Sequence, residues 1–254
     1  MNGMIDTHIH ADSRSSEDFE KMYLSGIDTV ITCGFYPYKI ANEIVLLNHL
    51  NKILEYDSKR AQKYGLDVKI ALGIHPANVD FTQDIIFDEI YNWINKKEII
   101  AIGEVGLDKC SEKEIAIFKK QLEIADETKT KVIVHTPRKN KKEVLIKIKE
   151  ILKDNIDSKL VVIDHVNQNI IKYLINEDYT LGLTVQPEKM EVSEAIAILD
   201  EYGFDKFLLN SDISNMPSDP LSVPKTVRCL ERLNYNKKEI EKLAFKNAKD
   251  FYKI

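Results

Sequence analysis

Short apolar runs recur eight times along the chain, at 4–9, 28–33, 68–74, 99–105, 131–135, 159–165, 180–185 and 206–210. Most are rich in Val, Ile and Leu without strict alternation, the pattern of strands buried on both faces of a parallel sheet. Longer amphipathic stretches separate them. Those at 111–129 and 140–153 repeat apolar residues every three or four positions among Lys and Glu, which predicts helices. Gly26, Gly65 and Gly203 each stand between a helical stretch and the next run, where a left-handed residue ends a helix. Proline sets the direction. Pro37, Pro76, Pro137, Pro187 and the group Pro217, Pro220, Pro224 all follow a run and precede a helix, and none is expected inside one. Eight strand–helix units in 254 residues have the size and rhythm of a (β/α)8 barrel. The reading is therefore α/β: a single TIM barrel domain over 1–254, with an extra C-terminal helix over 236–254 whose Phe245 and Phe251 pack it against the barrel wall. An open doubly wound sheet is the rival arrangement.

No stretch approaches the roughly 20 apolar residues that span a bilayer, so no membrane association is expected. The first residues, Met1 to His8, carry neither a basic segment nor an apolar one of the kind a signal peptide needs. Cys33, Cys110 and Cys229 are odd in number and widely spaced, which suits reduced thiols in the cytoplasm. The formal charge of −5 argues against a globally basic nucleic-acid binder but leaves room for a local basic patch.

The rarest residues point to chemistry. Five of the six histidines fall at or just past the end of a run: His8, His10, His75, His135 and His165. His49 lies in the helical stretch 39–64 and reads as structural. A barrel gathers its strand ends at one mouth, and the same face receives Glu104 and Asp212. His8 and His10 are two apart on a strand and point to the same side, so both can reach one ion at Zn–N distances of about 2.0–2.1 Å. A carboxylate aimed into a barrel is costly unless paired or metal-bound. His8, His10, His135, His165, Glu104 and Asp212 are ligands enough for two divalent ions, with one carboxylate bridging. So many imidazoles favour Zn²⁺ over Mn²⁺ or Mg²⁺. Arg138 can grip a phosphate with two parallel hydrogen bonds, and Lys139, Lys141 and Lys142 would extend it into a basic edge.

These residues fall into motifs: Asp6-x-His8-x-His10, Gly73-Ile74-His75-Pro76 and Gly103-Glu104-Val105-Gly106-Leu107-Asp108, then His135 followed by Arg138, His165, Asp212 and Asn247-Ala248-x-x-Phe251. In that order the chain resembles the TatD-type metal-dependent hydrolases of the amidohydrolase superfamily. The resemblance implies that His8 and His10 hold one ion with Asp212, that His135 and His165 hold the other, and that Glu104 bridges. It gives Asp212 the water-activating role and His75 a part in catalysis and substrate binding beside Arg138. The implied activity is phosphodiester hydrolysis of the deoxyribonuclease kind. A small-molecule ester, lactone or amide hydrolase is the alternative, and a non-catalytic metal-binding barrel a third. The loops depart from the family pattern: one extra residue separates His135 from Arg138, and Ser211-Asp212-Ile213-Ser214 replaces the usual Thr-Asp with a proline soon after.

Overall fold

The computed structural model of the chain describes residues 3–80 and 84–254. Eight strands form one sheet in sequence order, with every pairing parallel. They are β1 (Met4–Ile9), β2 (Ile27–Cys33), β3 (Asp67–Ala71), β4 (Ala101–Gly106), β5 (Lys131–His135), β6 (Val161–Ile163), β7 (Thr180–Thr184) and β8 (Phe207–Asn210). The seam between β8 and β1 is closed just beyond β8. There the Asp212 N–H donates to the His8 carbonyl at 2.9 Å, and the His10 N–H to the Ile213 carbonyl at 2.8 Å. The expected barrel is therefore the observed one.

Helices wrap the outside: α1 (Ser16–Leu24), α2 (Glu43–Lys52), α3 (Ser58–Gln62), α4 (Asp84–Asn95), α5 (Glu112–Thr128), α6 (Lys141–Asn155), α7 (Val192–Tyr202) and α8 (Ser222–Arg232). Local chemistry starts the longest of them. Ser111 Oγ accepts the Glu114 N–H at 3.2 Å, and Glu114 Oε2 accepts the Ser111 N–H at 3.1 Å, a reciprocal cap on the first turn of α5. Gly26 and Gly65 end their helices at φ of 91° and 93°, backbone values that glycine adopts without a side-chain penalty.

Three features differ from the sequence reading. Between β6 and β7 there is only a 3-10 turn, Ile171–Tyr173. Asn167 Oδ1 accepts the Asn169 N–H at 3.1 Å, and such a local bond competes with helix formation. Pro224 lies inside α8 as its third residue; a first-turn N–H has no acceptor within the helix, so its loss is tolerated. The C-terminal segment, α9 (Lys237–Glu241) and α10 (Asn247–Tyr252), does more than line the wall. Ile240, Leu243 and Ala244 join the layer between sheet and helices. Ala248 and Tyr252 bury themselves with Ile5, Ile31, Cys33, Ala71, Ala101, Ile133, Val162 and Leu208 inside the barrel. Lys131, the first residue of β5, stacks its ammonium 4.3 Å from the Phe251 ring. The segment thus floors the end of the barrel where the strands begin, and the opposite end stays free for the site. Among the described residues, no helix is long and apolar enough to cross a membrane.

Candidate metal centre

Glu104 stands at the centre of the mouth, 3% exposed, and its two oxygens face different histidine pairs. Oε2 lies 3.3 Å from His8 Nε2 and 3.4 Å from His10 Nε2. Oε1 lies 3.3 Å from His135 Nδ1 and 3.2 Å from His165 Nε2. Asp212 approaches the first pair, with Oδ1 3.1 Å from His10 Nε2 and 3.8 Å from His8 Nε2. All six residues read from the sequence as ligands are brought together.

Each imidazole is pinned through one nitrogen and presents the other. His8 Nδ1 donates to Asp164 Oδ2 at 2.6 Å, and His10 Nδ1 to the Cys33 carbonyl at 3.2 Å. His165 Nδ1 meets Thr184 Oγ1 at 2.8 Å, and His135 Nε2 meets Asp108 Oδ1 at 3.1 Å. An outward N–H bound to an acceptor leaves the lone pair on the inward nitrogen, which is how metal-binding histidines are oriented. The cage fits a divalent ion on a further count. His8 Nε2 is buried with no hydrogen-bond partner, and the ligand atoms of His8, His10 and Glu104 lie within 4.8 Å of one another. The ligand atoms of His75, Glu104 and His135 form a second such group. His165 and Asp212 border these two groups.

His75 has the opposite polarity. Its Nδ1 accepts the Ala77 N–H at 3.0 Å, which places the proton of the neutral ring on Nε2. Burial, then neighbouring His135, pushes its pKa down to about 3. In that tautomer His75 offers a donor to the mouth and contributes no lone pair to the group it forms with Glu104 and His135. It packs between Phe35 and His135, with ring centroids 4.7 Å from each. His49 is structural, its Nε2 2.9 Å from the Phe35 carbonyl.

Charge is balanced inside the cage. Burial opposes ionisation of Glu104, but the imidazoles of His8, His135 and His165 around it hold its carboxyl well below the usual range. Burial likewise opposes ionisation of Asp212, and Lys189, His10, His165 and His8 overcome it. His135 is drawn upward, against its burial, by Asp108 and Glu104. Beneath the cage, burial outweighs the bonds from Ser211 and raises Asp6 to about 7.

Several residues of the site escaped the sequence reading. Asp164 orients His8 and also accepts from Asn210 Nδ2 at 2.9 Å; its position directly before His165 was the available signal. Gly182 on β7 makes room for it, since a Cβ there would fall 1.5 Å from Asp164 Oδ1. Asp108 closes the Gly103–Asp108 motif. Lys189, from the loop after β7, pairs with Asp212 Oδ2, and Gln186 Nε2 reaches the same oxygen at 3.3 Å. Arg138 is at the mouth, donating to Gln186 Oε1 at 3.2 Å. The mouth is a cavity of about 240 Å³, edged by Phe35, His75, Arg138 and Met216.

The family model described as TatD related DNase matches residues 5–253. The chain belongs to the TatD family. An uncharacterized metal-dependent hydrolase of Methanocaldococcus jannaschii is 38% identical over 253 residues, covering 99% of this chain and 100% of the relative. The crystal structure of a TatD-like protein from Archaeoglobus fulgidus superposes with a TM-score of 0.82 at 28% identity, over 98% of this chain and 100% of that one. A phosphotriesterase homology protein from Escherichia coli, solved with phosphate in its active site, shares the fold at a TM-score of 0.72 and 13% identity, over 99% of each chain. As a TatD protein the chain is a metal-dependent hydrolase of the amidohydrolase-type fold.

Proposed function

We propose that this TatD protein holds two divalent ions, one on each side of Glu104, and hydrolyses phosphodiesters with a water activated at Asp212. The observation that carries the reading is the split of Glu104: each oxygen faces its own pair of pinned imidazoles. His8, His10 and Asp212 would hold one ion, and His135 and His165 the other, with Zn²⁺ favoured by the imidazoles and Mn²⁺ also suited. Paired ions lower the pKa of water and stabilise charge developing on a phosphoryl oxygen. The chain's own residues do the rest. Asp212 takes the proton of the attacking water on Oδ2, the oxygen shared with Lys189 and Gln186, and passes it to the leaving oxygen. An ammonium on that oxygen weakens it as a base, so the step requires Lys189 to move off Asp212. His75 donates from Nε2 to a phosphate oxygen, and Arg138 grips the phosphate from the rim.

The mouth is small, and Arg138, Lys189 and the nearby Lys141 are its cations. This suits a strand end or a short diester better than a long duplex, whose binding draws on many Lys and Arg contacts. The apolar rim of Phe35 and Met216 favours, as a second reading, a small ester or lactone. Both readings are tested together. Metal analysis should find two ions per chain, falling below one in Glu104→Gln. A panel of single-stranded DNA, bis(p-nitrophenyl) phosphate, a carboxylester and a lactone should show turnover of the two phosphodiesters. Turnover of the ester or lactone alone would install the second reading, and two ions retained by Glu104→Gln would refute the bridge.

A further inference from the structure

Beside the mouth lies a second cavity of about 90 Å³, which shares Arg138, His165 and Lys189 with it. It sits over the ends of β5, β6 and β7, at Thr136, His165 and Thr184. Three cations line it: Arg138, Lys141 and Lys189. Their acidic partners do not balance them. Glu188 is 65% exposed and 3.5 Å from Arg138, and Lys189 leans on Asp212, which lines the mouth. Lys141 has no carboxylate at ion-pair distance among the described residues. Its Nζ donates to three neutral oxygens instead, the Thr136 carbonyl at 3.2 Å, Thr136 Oγ1 at 2.8 Å and the His165 carbonyl at 3.0 Å. An ammonium sunk among neutral oxygens beside two further cations is costly until an anion joins it.

The size restricts which anion. Buried Val166 and Met190 form part of its wall, and a volume of about 90 Å³ has room for one small group. Arg138 contributes a fork of donors and the two lysines contribute point charges, the combination that suits a phosphate. We propose that this cavity is a terminal-phosphate pocket, which holds a phosphomonoester at the end of the substrate while the cage acts on the neighbouring diester. The proposal rests on the phosphodiesterase reading, and it makes this chain selective for phosphate-bearing ends. Inorganic phosphate shares the chemistry and would occupy the same pocket as a competitor.

The test compares thymidine dinucleotides carrying a phosphate at one end, at the other, or at neither, with the metal-loaded protein. One of the two phosphorylated dinucleotides should have a kcat/KM at least about tenfold above the unphosphorylated one, as expected for charge-assisted hydrogen bonds. In Lys141→Met that ratio should collapse toward one, with Lys189→Met as the second variant should the first fail to fold. Equal kcat/KM for all three dinucleotides in the wild type overturns the pocket, as does a preference that survives both variants. A separate readout keeps the two readings apart. Isothermal titration of the chelated protein with inorganic phosphate should give binding that weakens about tenfold or more in Lys141→Met. If no phosphodiester is cleaved, the phosphodiesterase reading fails, and this titration alone decides the pocket: no binding, or binding indifferent to Lys141, overturns it.

Discussion

At the scale of single residues, Asp212 stands between two parts of the mouth, with Oδ1 toward His10 and Oδ2 toward Lys189. On the proposed mechanism, replacing it by Asn keeps the shape and removes the base. Asp212→Asn should lower kcat by about 10²–10⁴-fold while the protein still carries metal at Glu104, checked by steady-state kinetics and metal analysis on one sample. His75 gives a pH signature. Its folded pKa lies near 3 against 6.5 for a free ring, so between those values the unfolded chain binds the extra proton and acid favours unfolding. In chelated protein, the stability advantage of wild type over His75→Asn should grow as pH rises from 3 to 6.5, by up to about 1.4 kcal/mol per unit. Above 6.5 it should be flat. Urea denaturation across that range reads it directly, and a difference indifferent to pH would contradict the assigned polarity. The four cage histidines were legible as scarce residues at strand ends, and Glu104 and Asp212 as carboxylates ending apolar runs. Asp164 and Lys189 were not: Asp164 stands directly before His165, but its pairing with His8 is written only in the fold, and Lys189 is one lysine among many until the fold sets it against Asp212.

At the scale of elements, β7 serves the site by what it lacks. Gly182 leaves the space that the Asp164 carboxylate fills, and Asp164 in turn holds His8. Gly182→Ala should push Asp164 off His8 and weaken metal binding by about 10–100-fold, measured by competition with a chromogenic chelator; unchanged affinity would show that His8 does not depend on that support. The strand and helix rhythm was readable because burial on both faces of a parallel strand and on one face of a helix leaves different periods. The missing helix before β7 was not, because the Asn167 side chain bonds the Asn169 N–H, a local competition with the helix that hydrophobic spacing ignores. The C-terminal helix was predicted in place along the chain but not in space. Its apolar face says that it is buried, and only the assembled barrel says that Ala248 and Tyr252 go to the floor.

At the scale of the whole molecule, the proposed ions, held by residues from β1, β4, β5 and the ends of β6 and β8, would tie distant parts of the chain together. A ligand bound only by the folded state adds about 4 kcal/mol at a thousand times its Kd. For a chain of this size each kcal/mol moves Tm by roughly 2–4 °C. Chelation should therefore lower Tm by about 8 °C or more, restored by adding back Zn²⁺ or Mn²⁺, as followed by circular dichroism; a Tm indifferent to chelator would mean that the cage contributes nothing to folding. The seam that closes the barrel has a further consequence for how such a protein comes into being. His8 and His10 leave the ribosome first, but the strand that brings Asp212 against them, through the bonds of Asp212 and Ile213 to β1, is the last to emerge. On the proposed mechanism, a chain without β8 has the imidazoles and Glu104 but lacks the base, so hydrolysis must await the last of the eight strands.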